Sequence, residues 1–475
     1  MRRMRATVCS LICVVFVPGS ASASTGGPRR DSGDNGDWPM FRGPRGSGIG
    51  QGASPPLRWD CSTGENVRWR LELPGLGLSS PVIHSGRVFI TTAIDRKRQP
   101  VNEPVIDAPT LMRDIDMRST EDSAVKDWLV LCVDIKSGEI QWSTTVHSGT
   151  PRTLRHAQNS FATPTPVIQR GRVVAMFGAE GMYCLDLEGR VIWQRDFGEL
   201  AVGSYENRAF QWGYASSPTA FEGLVFVQGD VDTKPFLMAL DLESGREVWR
   251  VERSDLPSWS TPVVQTGWGE PQLIVNAPFY VAAYAAATGH LIWKLYWGME
   301  ITEPTAVCSL DFVFVACGKG RTSPIFAITR DAMGDITPRQ GAAESTGVRW
   351  RSTKGGPNTT TPICYDGYLY ALSDFGILRC FRADSGVVAY EHRIVGQAFQ
   401  ASPVAIDGKL YFTSVTGRVF VVAAGPEFNL LAESGLGETC QATPAISDGK
   451  IIFRTRKALY CIENGVEREP VSGRN

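Results

Sequence analysis

The chain has 475 residues, a formal net charge of −1 at pH 7 and 20% charged residues. That balance excludes nucleic acid or an anionic membrane as a partner chosen by bulk electrostatics, and the length is ample for a large core. The 49 Gly and 29 Pro supply the turns of a protein made of many short strands.

Residues 1–23 read as a secretory signal. Arg2, Arg3 and Arg5 precede an apolar run, Val8 to Val17, too short to span a bilayer, and Ala21-Ser22-Ala23 is a small-x-small cleavage site. The expected location is therefore periplasmic or otherwise exported. Residues 24–37 are Gly, Ser and charge and read as a disordered spacer. Residues 38–65 read as an irregular arm with aromatic anchors, packed on the domain that follows. No later segment is long and apolar enough to cross a membrane.

From residue 66 to 465 one unit repeats, most clearly over Ser217 to Trp249. Four short apolar runs are separated by turns at Glu222-Gly223, Gly229-Asp230 and Ser244-Gly245, the pattern of four strands. The opening recurs at Ser80-Pro81, Thr165-Pro166, Ser217-Pro218, Thr261-Pro262, Glu303-Pro304, Thr361-Pro362, Ser402-Pro403 and Thr443-Pro444. Proline suits a strand's first residue, where its missing N–H breaks no ladder bond. The prolines lie 41 to 58 residues apart, except for 85 from Pro81 to Pro166, where residues 95–127 read as an insertion in the first unit. Four strands per unit at this period predict an all-β, eight-bladed β-propeller of four-stranded antiparallel blades.

Fourth strands carry aromatics at Trp142, Trp193, Trp249, Trp293, Trp350 and Tyr390, and the eighth unit stops after its third strand, near Cys461. The missing strand is expected from the other end of the chain, in Asn66 to Leu71 around Trp69, closing the ring and removing an open sheet edge. Residues 466–475 are left as a tail.

The turn before the aromatic carries a resemblance. Ala239-x-Asp241-x-x-Ser244-Gly245-x-x-x-Trp249 and Cys132-x-Asp134-x-x-Ser137-Gly138-x-x-x-Trp142 look like the tryptophan-docking motif of quinoprotein propellers. The chain resembles the PQQ-binding-like β-propeller repeat family over residues 38 to 465. That family includes the propeller lipoprotein of the outer-membrane β-barrel assembly machinery. The opening Trp38-Pro39-Met40-Phe41-Arg42-Gly43-Pro44 is similar to exported members from planctomycete-type bacteria. A propeller hosts many functions, so the resemblance implies the fold more than the activity.

Cys132, Cys184, Cys380 and Cys461 occupy one position in four third strands, where Ala239, Ala283 and Ala327 stand elsewhere. A slot shared by Cys and Ala predicts a small buried thiol. Cys308 and Cys317 flank one hairpin and are left open between bonded and free. No C-x-x-C, H-E-x-x-H, G-x-S-x-G or P-loop occurs.

Residues that enter each innermost strand should ring one end of the channel. They nominate a mixed polar and aromatic mouth: His156, Asn159, Glu206, Arg208, Trp212, Tyr214, Trp259, Glu300, Glu303, Asn358, Phe399, Gln400 and Gln441. The same residues also read as inter-blade packing around a solvent-filled hole. Glu303 stands where the other openings have Ser or Thr. With no catalytic set in view, the expected role is a non-catalytic, monomeric protein-binding or scaffolding module, with an envelope protein or polymer as partner and no cofactor. The alternatives are a small-ligand or glycan binder and, from the resemblance, a dehydrogenase using PQQ and Ca²⁺. Several dehydrogenases of that family hold a vicinal Cys-Cys disulfide against the cofactor, and this chain has no such pair.

Overall fold

Eight sheets of four antiparallel strands follow one another along the chain. The computed structural model describes residues 36–97, 119–120, 122–203, 207–318, 322–339 and 345–465. The expected signal, most of the spacer, the tail and most of the insertion lie outside them. Blade 1 comprises, from the inside outward, Val82–His84, Arg87–Asp95, Lys126–Asp134 and Ile140–Gly149. In blade 3, Leu224–Gly229 and Phe236–Asp241 are almost wholly buried, whereas the outer strand Glu247–Glu252 alternates toward solvent. Middle strands covered on both faces need no polar alternation. Blade 4 gains a fifth strand, Gly334–Asp335, laid parallel to its outer strand by an excursion from blade 5.

The hairpins between first and second strands turn as the sequence implies. Ser85-Gly86, Arg170-Gly171, Glu222-Gly223, Asp366-Gly367, Asp407-Gly408 and Asp448-Gly449 all have positive φ at both residues, the backbone of a tight two-residue hairpin whose twist matches the strands.

Most blades meet the next at an indole. Trp142 Nε1 donates to Leu187 O at 2.9 Å, Trp193 to Leu242 O at 2.9 Å, Trp249 to Ala286 O at 3.0 Å and Trp350 to Ala383 O at 2.9 Å. The ring lies flat on a glycine of that next turn. A Cβ on Gly245 would come within 2.6 Å of Trp193, and one on Gly386 within 2.6 Å of Trp350. Across its own sheet the indole faces a small residue: Cys132 opposite Trp142, Cys184 opposite Trp193, Ala239 opposite Trp249 and Cys461 opposite Trp69. Beside these pairs the register slips by a bulge, which makes room for the ring. The four thiols are therefore packing groups, and desolvation pushes each up to about 12, far from reactive. Cys308 and Cys317 are not joined by a disulfide, and Cys317 Sγ donates to Ile301 O at 2.9 Å.

Val67–Glu72 pairs with Ala458–Glu463 and completes blade 8. Trp69 Nε1 then donates to Ile135 O of blade 1 at 2.9 Å, so the closing seam uses the same device as those four. Blade 7 has Ala432 opposite Val421 and no aromatic in its outer strand. Trp59, from the arm, enters the seam between blades 7 and 8. Its backbone N–H donates to Ser434 Oγ at 3.1 Å, its ring lies 5.5 Å from Phe453, and it is 4% exposed.

Candidate functional site

The innermost strands converge on a ring of hydroxyls. The Ser80 N–H donates to Thr165 Oγ1, Thr165 to Ser217 Oγ, Ser217 to Thr261 Oγ1, Thr261 to Thr305 Oγ1, Thr305 to Thr361 Oγ1, Thr361 to Ser402 Oγ and Ser402 to Thr443 Oγ1, all within 2.9–3.2 Å. These steps run one way from blade 1 to blade 8. At the closing seam Arg454 substitutes, donating to Ser79 O at 3.0 Å and Thr91 O at 2.8 Å. The fifth member is Thr305, not Glu303. The expected opening Glu303-Pro304 is out of step by two residues, because the hydroxyl that receives the neighbouring amide sets the register and Pro304 merely precedes it.

In an antiparallel blade, the start of the first strand and the turn between second and third strands lie at one end. The turn between first and second strands lies at the other. The arm occupies that second end. Trp38 exchanges backbone bonds with Ile83 at 2.8 Å, Pro39 O accepts from Ile168, Gly46 lies against Val263, Arg42 Nη2 donates to Pro362 O at 2.8 Å, and Gly48 and Gly50 bond to Ala405. One short segment thus touches blades 1, 2, 4, 6 and 7. Arg42 is fully buried there, and desolvation pushes its guanidinium down to about 9. Phe41, from the same segment, lines the cavity above.

The open end is a cavity of about 330 Å³, toward the lower limit for small-ligand sites. Of the nominated residues, His156, Asn159, Trp212, Trp259 and Glu303 line it on one side, and Asn358, Phe399, Gln400 and Gln441 on the other. Tyr214 does not. It is buried behind the wall with its hydroxyl donating to Gln228 O at 2.7 Å, and desolvation pushes that phenol well above its ordinary range. Glu300 is exposed and stands outside the lining. Arg208 begins a short 3-10 turn, Arg208–Phe210. Glu206 lies outside the described residues.

The lining is pre-organised. Trp212 and Trp259 pack with ring centres 5.4 Å apart and planes tilted by 31°, and Trp259 Nε1 is held by Gly213 O at 2.8 Å. Asn159 Nδ2 donates to Trp212 O at 2.8 Å. Opposite, Gln441 Nε2 donates to Gln400 Oε1 at 2.7 Å, and Arg456 Nε donates to Gln441 Oε1 at 2.7 Å. The sequence reading passed over Asp374, which comes from the turn between the second and third strands of blade 6. It accepts from the Thr359 N–H at 3.0 Å and from Thr359 Oγ1 at 2.8 Å. Desolvation raises its carboxyl above the usual range, against those bonds.

A family model described as outer membrane protein assembly factor BamB matches residues 57–196 and 126–268. These are PQQ-like propeller repeats. Among solved structures, the quinohemoprotein alcohol dehydrogenase of Comamonas testosteroni superposes on this PQQ-like propeller with a TM-score of 0.58 at 11% identity, covering 94% of this chain and 83% of that one. A europium-containing methanol dehydrogenase gives 0.50 at 11% identity, covering 90% and 91%. BamB from Moraxella catarrhalis gives 0.38 at 12% identity, covering 83% and 99%. At these identities the likeness is one of fold. No curated protein matches the chain.

PQQ is a tricarboxylate quinone, and in such enzymes it works beside a metal ion. The lining of this propeller holds the carboxylates Glu303 and Asp374 and no Lys or Arg among the described residues. Nor do the described residues place three or more His, Cys, Asp or Glu together to hold a metal. Among the described residues, that donor set does not fit the cofactor.

Proposed function

We propose that this chain is an exported, non-catalytic and monomeric propeller that recognises a protein or polymer of the cell envelope at the open mouth of its channel. One observation carries the reading: the chain's own arm covers one end, and the described lining of the mouth at the other is made chiefly of amides, hydroxyls and a paired indole. Such a surface offers hydrogen bonds and stacking area but no activated nucleophile. Export rests on the leader-like residues 1–23. The test is affinity capture from envelope extracts with the full chain and with Trp259→Ala. A partner retained by the first and lost by the second is expected. Equal recovery by both, or recovery of nothing, contradicts the reading.

The quinoprotein alternative is tested separately by adding PQQ and Ca²⁺ to the purified chain. The expected result is that quinone absorbance is lost on desalting and no dye is reduced with alcohols or sugars. Retained absorbance with dye reduction would reinstate the dehydrogenase.

A further inference from the structure

The mouth cavity holds a carboxyl group whose hydrogen-bond donors are all neutral. Asp374 accepts from the Thr359 N–H at 3.0 Å, from Thr359 Oγ1 at 2.8 Å and from Asn358 Nδ2 at 3.3 Å. No ion pair among the described residues involves it, and no Lys or Arg is among the described residues of the lining. Neutral donors hold a carboxylate in place but leave its charge uncompensated, and desolvation accordingly raises this carboxyl.

The neighbouring amide supplies a second acceptor. Only the NH₂ of Asn358 can face the Asp374 carboxylate, so its Oδ1 turns the other way. That oxygen is buried at the cavity and has no donor of its own. An acid and an amide oxygen thus stand together, and a group with several N–H donors would satisfy both.

Aromatic rings surround the pair. Phe375, the next residue, lines the cavity and is 51% exposed. Phe399 lines it too, and its N–H donates to Asp374 O at 2.9 Å. Across the cavity stand Trp212 and Trp259. Such rings attract a cation and cover the apolar stem of a long side chain. The lip is apolar as well. The Ile394 N–H donates to Gly376 O at 2.8 Å, which brings Val395, 78% exposed, close to the turn that carries Phe375. A charged pit inside an apolar lip suits a side chain projecting from a protein surface better than a small free amine.

We infer that the cavity receives a cationic side chain of a partner protein, an arginine or a lysine, with its N–H groups on Asp374 and Asn358 Oδ1 and its stem against the aromatic lining. This deepens the proposed function by naming what the partner presents, and it rests on that reading.

The experiment titrates the full chain with capped Gly-Arg-Gly and Gly-Lys-Gly tripeptides, read by tryptophan fluorescence and calorimetry. The controls are the same tripeptide with citrulline, a neutral counterpart of arginine, the tripeptide with glutamate, and spermidine as a free amine. At least one cationic tripeptide is expected to saturate in the millimolar range or tighter. It should bind about tenfold or more above the citrulline and glutamate peptides, because its charge is what Asp374 meets. Asp374→Asn, which keeps the shape of the side chain, should weaken that binding by about tenfold or more. Phe375→Ala, at an exposed position, should weaken it by about threefold or more. Near-ultraviolet circular dichroism and the melting temperature check that both variants are folded. Should Asp374→Asn fail to fold, Phe375→Ala and the citrulline comparison still decide. Equal binding of the arginine and citrulline peptides overturns the assignment, as does a flat response to both cationic peptides, or unchanged binding by a folded Asp374→Asn. Spermidine binding about tenfold tighter than either cationic peptide overturns the protein side chain as the occupant. If envelope capture through the mouth persists while the peptides fail, only the cationic side chain falls. If capture fails as well, the recognition reading falls with it.

Discussion

At the arm end of the channel the chain buries Trp38 and Arg42, while at the mouth it leaves Trp212 and Trp259 half-buried and Phe375 51% exposed. The same eight blades supply both ends. At the first, contacts come from one segment bonded to blades far apart in sequence, so each group there holds the ring together. At the second, side chains from several blades face a common space and are braced by neighbouring loops, as Trp259 is by Gly213 and Gln441 by Gln400. The contrast separates groups that stabilise the ring from groups that are available to a partner.

Substitutions can break or sharpen that contrast. The largest effect is expected at the seams. Trp69→Ala, at the closing seam, and Trp59→Ala, where the arm fills the seam after blade 7, should each cost about 3–5 kcal/mol in denaturant unfolding. A loss below about 1 kcal/mol at Trp59 would mean that the arm is ornamental. Next comes Gly386→Ala, which combines a φ of +69° with a Cβ 2.6 Å from Trp350. A left-handed non-glycine residue alone costs about 1–3 kcal/mol, and the melting temperature should fall accordingly.

A smaller effect depends on pH. Glu180, 4% exposed, has its carboxyl raised from 4.5 to about 6, chiefly by desolvation. The folded state therefore holds this proton more tightly than the unfolded state. Its stabilising contribution is complete below pH 4.5 and is lost as pH rises through 6. Glu180→Gln should thus gain up to about 2 kcal/mol over the parent at pH 7.5 and nothing at pH 4. Melting curves at the two pH values check the sign, and an equal effect at both would refute it. The smallest change is expected at the mouth, where Gln400→Ala should alter stability by about 1 kcal/mol or less. A larger loss there would erase the distinction between the two ends.

Much of the ring was legible because each blade repeats the same local solution. Asp241, Ser244, Gly245 and Trp249 mark a turn and an indole wherever they recur, and Cys132 in an alanine slot reveals a small core site. The closing role of Trp69 followed from counting strands. The arm's path was not legible. Trp38 to Gly50 has no periodicity, and its course is set by contacts with residues such as Pro362 and Ala405, more than 300 positions away. Thr305 is not legible from the proline spacing, because the hydroxyl that receives the neighbouring amide is the constraint and the proline is not. Asp374 was missed because only the entrances to first strands were read, although the turns between second and third strands reach the same end. Tyr214 and Glu300 were nominated by position alone, which does not say which way a side chain turns.

The most direct test of the mouth as the recognition end is site-specific photo-crosslinking in intact envelopes, with a benzophenone side chain at Phe375 or at Leu57. Phe375 lines the cavity and Leu57 is exposed on the arm. The account predicts a discrete adduct from position 375 and none from position 57. An adduct from position 57 with none from 375 would contradict it.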